Sequence, residues 1–159
     1  MTTQNTASSV ASVMTLTGDI AAADTDRLRA RAYEALALSA EEHRRASTPQ
    51  APVDGAAGGD WQRAHAGDLL VDAVSVTSFD DAAMAALSSA RTRARYLGAQ
   101  VVVIDQVAGA LSLSLRRTGL AFRFPRFESL EAATAHLEQA RTTRSRKDTP
   151  LEARWRAAR

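Results

Sequence analysis

Ala99-Gln-Val-Val-Val-Ile-Asp105 is the stretch that most restricts the fold. Its apolar residues do not alternate with polar ones, so a strand made of them has no face to turn to water. Such a run reads as a strand buried on both faces, as in a parallel sheet covered by other layers. Leu69-Leu-Val-Asp-Ala-Val-Ser-Val76 is a second strand candidate ahead of it. Between the two lies a helical pattern: Ala83, Leu87, Ala90, Ala94 and Leu97 recur at four- and three-residue steps, with Ser88, Thr92 and Arg95 opposite. Gly98 stops that helix. Strand, helix and strand in this order imply an α/β layer with parallel pairing.

The flanks extend the same pattern. Val10 to Leu16 is strand-like, and Gly18-Asp19 supplies a turn. Asp24 or Thr25 caps a helix running to about Leu38, with Leu28, Ala32 and Ala35 on one face. Residues 39–67 contain the Pro/Gly/Ser-rich run from Ser47 to Gly59 and read as a flexible insertion within one domain. Leu111-Ser-Leu-Ser-Leu115 alternates with period two, as a strand would, while its flanks suit a short helix ended by Gly119. From the residues alone both readings stand. Phe122 to Phe127 is extended, and Pro125 makes it an edge or a connector. Ser129 caps a final helix with Leu130, Ala133 and Leu137 on one face.

Composition sets the remaining limits. At 159 residues the chain fits one domain, and 45% apolar with 24% charged residues is ordinary for a soluble protein. No segment approaches the roughly 18 continuous apolar residues of a membrane span. Residues 1–9 lack the basic and apolar stretches of a signal peptide and read as a disordered end, so the expected location is the cytoplasm. Without cysteine there is no disulfide, thiolate nucleophile or zinc–thiolate site. The basicity is uneven. Residues 141–159 hold seven basic groups against Asp148 and Glu152, a net +5 out of the total +2, so the rest of the chain carries −3. Segment 142–159 is thus a basic tail, which leaves nucleic acid open as a partner, although a solvated end is the favoured reading. Arginine outnumbers lysine 19 to 1, a bias that fits a GC-rich genome.

Four stretches together resemble the STAS domain, the family of sulfate-transporter tails and bacterial anti-sigma factor antagonists. Leu16-Thr-Gly-Asp-Ile20 is similar to the family's strand ending in Gly-Glu-Leu-Asp, and Val71 to Leu87 to its strand, phosphorylation loop and following helix. Arg117-Thr-Gly-Leu120 is similar to its Leu-Thr-Gly-Leu turn, and Phe124 to Ala132 to its Phe-Pro-x-Phe-x-Ser-x-Glu-x-Ala ending. The resemblance covers about residues 10–141. It implies a mixed sheet of four to five strands with helices mainly on one face, and a helix rather than a strand before the Thr-Gly turn.

Its functional implication is binding without catalysis, with no cofactor and no membrane insertion. An antagonist of this family holds an anti-sigma factor kinase and lets go when a Ser or Thr is phosphorylated. The family's Asp-Ser-x-Gly pattern falls on Asp80, Asp81, Ala82 and Ala83, so Asp81 occupies the phosphoacceptor position. A Ser/Thr kinase cannot modify it, and the resemblance therefore implies an altered or lost phospho-switch, like a released state frozen on. Ala83 for glycine and Ala21 for the last acid of Gly-Glu-Leu-Asp are further departures. Expected partner contacts are Ser78, Asp80, Asp81, Ala82, Met84 and Ser88. The alternative is an accessory or structural STAS subunit of a transporter or stress complex unrelated to sigma factors.

A plainer reading of the same residues is helix capping. Acids at a helix start accept backbone N–H bonds, and Ser78 with Asp81 has capping-box spacing. Ser75, Thr77, Ser78, Ser88 and Ser89 are other conceivable phosphoacceptors. His43, His65 and His136 show no metal-ligand spacing, with His136 expected to face solvent, and no phosphate loop or nucleophile elbow is present. Asp72 and Asp105, at or inside strands, read as satisfied polar groups.

Overall fold

The computed structural model describes residues 2–7, 11–46 and 67–148. Among these residues nine strands and α-helices follow one another: β1 (Thr2–Ala7), β2 (Ala11–Ile20), α1 (Thr25–Ala46), β3 (Asp68–Phe79), α2 (Met84–Tyr96), β4 (Val101–Ile104), α3 (Ala110–Arg117), β5 (Arg126–Phe127) and α4 (Leu130–Asp148). The strands form one sheet in the order β1-β2-β3-β4-β5. β1 runs antiparallel to β2, and the other neighbours are parallel. This is the α/β, mixed-sheet architecture expected from the sequence.

The sheet has two unequal faces. Met14, Leu16, Leu69, Val71, Val101 and Val103 point to the larger core, where α1, α2 and α3 bring Leu28, Leu36, Leu87, Leu111 and Leu115. Leu70, Val102 and Ile104 alternate to the other face and meet Ala133 and Leu137 of α4. Val101 to Ile104 are all buried, the double-faced burial that their unbroken apolar run required. Alanines on the inner faces of α1 and α2 let the two helices pack closely.

β3 departs from a simple strand. Thr15 pairs with Asp72 and Thr17 with Ser75; Gly18 pairs with Val76 and Asp19 with Ser78. β3 therefore carries one extra residue at each of two places, and each such bulge reverses the side of the sheet that the next side chains take. That is how Ala73, Val76 and Phe79 all reach the larger core at three-residue steps, where a regular strand would alternate every two. At the first bulge Asp72 accepts the Val74 N–H at 3.2 Å.

Two helices end in left-handed glycines, Gly98 (φ 71) after α2 and Gly119 (φ 68) after α3. In each, the next amide reaches back five residues, from Ala99 N to Ala94 O at 2.8 Å and from Leu120 N to Leu115 O at 2.8 Å, closing a Schellman motif. The second motif makes Leu111 to Leu115 part of a helix, against its period-two pattern.

The structure revises six expectations. Thr2–Ala7, read as part of a disordered end, pairs with β2 from Thr2↔Thr17 to Ala7↔Ser12. α1 continues to Ala46, so the first part of the 39–67 insertion is helical, while residues 47–66 lie outside the described residues. α4 continues to Asp148, seven residues into the expected tail, and residues 149–159 lie outside the described residues. Leu130 is exposed at the start of α4 rather than on its core face. His136 is half-buried, its ring 5.0 Å from that of Phe127. The segment from Phe122 to Phe127 divides into a 3-10 turn, Ala121–Arg123, and the two-residue edge strand β5.

Candidate functional site

Where β3 ends, Asp80 leaves the sheet in an extended conformation (φ −71, ψ 134) and its carboxylate accepts the Ala82 N–H at 2.8 Å. It caps the 3-10 turn Asp81–Ala83 that leads into α2. Capping therefore belongs to Asp80 alone. The Ser78–Asp81 capping box does not form, because the Ser78 hydroxyl donates to Asp19 Oδ1 at 2.8 Å. The neighbouring Thr77 hydroxyl donates to the same oxygen at 2.6 Å. The second bulge of β3 makes this possible, since it turns two consecutive side chains to solvent beside the end of β2. The two hydroxyls, Thr77 first, hold the Asp19 carboxyl below the usual carboxylate range.

Asp81 faces α3 instead of the turn it belongs to. Arg117 Nη2 donates to Asp81 Oδ1 at 2.7 Å and Arg117 Nε to Oδ2 at 3.2 Å, a forked contact. The Ser114 hydroxyl donates to Oδ1 at 2.6 Å. Arg117 first and Ser114 second hold the Asp81 carboxyl below its ordinary range, and the Arg117 guanidinium is held more basic in return. Ser114 is fully buried, whereas Asp81 and Arg117 are about half exposed. The junction is thus latched to α3 by one buried hydroxyl and one surface ion pair.

α3 is itself fixed at its start. Asp105, buried at the end of β4, accepts Gln106 N–H and Ser112 N–H, both at 2.8 Å, and so holds the first turn of α3. Gly109 lies against this carboxylate; a Cβ there would come 1.9 Å from Asp105 Oδ1. Asp105 and Asp72 are satisfied structural acids, as read from sequence. Asp68, also buried, accepts Gln100 N–H at 2.8 Å and Arg141 Nε at 3.1 Å, which ties α4 to the start of β3.

An open cleft of about 460 Å³ lies at this edge, between Asp19, Thr77, Ser78 and Asp80 on one side and Leu113 and Arg117 on the other. Ser78 and Asp80 line it, and Asp81 and Ala82 continue the exposed rim along the turn that follows. Met84 does not: at 2% exposure it belongs to the core and offers nothing to a partner. Ser88 lies further along α2 in a groove with Tyr33, Thr92 and Tyr96. Sequence reasoning missed Asp19, Ser114 and Arg117 as members of the site. Their only signal was that two of them stand in the Leu-Thr-Gly-Asp-Ile and Arg-Thr-Gly-Leu stretches. Among the described residues there is no group of three or more His, Asp or Glu placed to hold a metal ion, and no helix long and apolar enough to cross a membrane.

No protein-family model matches the sequence, and no curated protein matches it. Among solved structures the fold is similar to the crystal structure of an anti-sigma factor antagonist from Mycobacterium paratuberculosis, with a TM-score of 0.59 and 17% identity. The match covers 86% of this chain and 93% of that one. At such identity the likeness establishes the shared fold.

Proposed function

We propose that the protein is a non-catalytic, STAS-type regulatory domain. It binds a protein partner through the rim formed by Ser78, Asp80, Asp81 and Ala82, and that binding is not switched by phosphorylation at position 81. The fold likeness to an anti-sigma factor antagonist supports the class. The observation that carries the altered switch is the latch, in which the Asp81 carboxylate is spent on Ser114 at 2.6 Å and Arg117 at 2.7 Å.

The latch also changes what Asp81 presents. A phosphoserine would bring about −1.5 to −2 charges and three acceptor oxygens to the helix start, repelling a surface suited to a neutral hydroxyl. Asp81 brings one charge, offset by the adjacent guanidinium. The rim is therefore closer to a constitutively bound form than to a permanently released one, and partner binding is insensitive to ATP. The test is a calorimetric titration of the protein with an anti-sigma factor kinase, with and without ATP, beside the Asp81→Ser variant. Equal wild-type affinity in both conditions, with ATP weakening the variant alone, is expected. Wild-type binding abolished by ATP overturns the reading.

A further inference from the structure

The far end of α2 contrasts with its start. Arg91 Nε donates to the Arg123 backbone carbonyl at 2.7 Å, which fastens the Ala121–Arg123 turn to the helix. Arg95 stands one helical turn beyond Arg91 and so shares its face. The Arg123 guanidinium lies 5.5 Å from the centroid of the Phe122 ring, and that ring is 82% exposed. Among the described residues none of these three arginines forms an ion pair, whereas Arg29, Arg31, Arg117 and Arg141 each meet an acid. Burial, then the positive fields of Arg95 and Arg123, make Arg91 a weaker base than usual. Three like charges are gathered at some cost in repulsion and with no acid at hand to offset it.

We infer that Arg91, Arg95 and Arg123, with the ring of Phe122, form a second docking surface, for an acidic segment of a protein partner. Guanidinium forks match carboxylates, and the exposed ring supplies an apolar contact beside them. The surface lies roughly 15 Å along the helix from Asp81, far enough for separate contacts. Its compactness argues against nucleic acid, which is followed by an extended basic track. Toward the helix start the exposed residues are Ala85, Ala82, Asp81 and Asp80, which carry no positive charge. A polyanionic backbone would run from the arginines into acids, whereas a short acidic peptide need not.

An NMR titration of the full ¹⁵N-labelled chain with blocked hexaglutamate tests this, beside an eight-nucleotide single-stranded thymidine oligomer. Hexaglutamate shifts the amides of residues 91–95 and 121–124, and the double variant Arg95→Gln/Arg123→Gln binds it about tenfold more weakly. The double variant keeps the Arg91 bond to the Arg123 carbonyl, so its spectrum away from the patch stays unchanged. Three results overturn the inference: hexaglutamate shifts confined to residues 141–159, equal affinity of the double variant, or a patch that answers the oligonucleotide alone.

Discussion

The two ends of α2 treat charge in opposite ways. At its start every acid has a local answer: Asp80 accepts the Ala82 amide, Asp81 is forked by Arg117, and Asp19 nearby is held by two hydroxyls. At its far end three guanidiniums stand together without an acid among the described residues. Satisfied charges rigidify and specify a local structure, while unanswered ones are available to a partner. The same helix thus carries a settled end and an open end, and each can be perturbed alone.

The largest effect is expected from Gly109→Ala. The new methyl meets the Asp105 carboxylate, so α3 must shift or lose its first-turn bonds, a loss of about 1–3 kcal/mol in urea denaturation. Because α3 carries Ser114 and Arg117, this variant loosens the settled end and leaves the hexaglutamate response of the open end intact. Arg91→Ala acts the other way. It frees the Arg123 carbonyl, costs about 1 kcal/mol, and leaves the titration of Asp81 unchanged by NMR.

A pH series sharpens the contrast with a smaller effect. Asp19 and Asp81 are held below the usual carboxylate range in the folded protein, so their contribution is present above the unfolded value of about 3.9. It is lost as pH falls through their lower folded values. Denaturant midpoints are therefore expected to fall below about pH 4. They fall less steeply in Arg117→Gln, which lacks the main cause of the Asp81 shift. The open end has no titrating acid among the described residues and contributes nothing to this slope.

Much of the fold was legible because burial writes itself into local pattern. Val101 to Ile104 had to be covered on both faces, Ala83, Leu87, Ala90 and Ala94 turn inward as their spacing required while Leu97 is half-buried, and Gly98 and Gly119 stop helices through a backbone conformation that other residues rarely adopt. β1 was illegible because Thr-Thr-Gln-Asn-Thr has no alternation; its partner, and not its pattern, makes it a strand. The bulges of β3 broke the period-two signal after Asp72, which hid its full length to Phe79. Leu130 sits at the right interval from Ala133 and Leu137 but precedes the point where α4 touches the sheet. The site was half legible. Asp80 and Asp81 were visible as acids at a helix start, but Asp81 faces residues 33 and 36 positions away, a pairing that local spacing does not encode.

The latch itself is tested most directly by the pKa of the Asp81 side-chain carboxyl, followed by carbon-detected NMR in the wild type and in Arg117→Gln. A latched junction gives a value below the ordinary carboxylate range in the wild type and a rise toward that range in the variant. An ordinary value in the wild type, or the same value in both proteins, contradicts it.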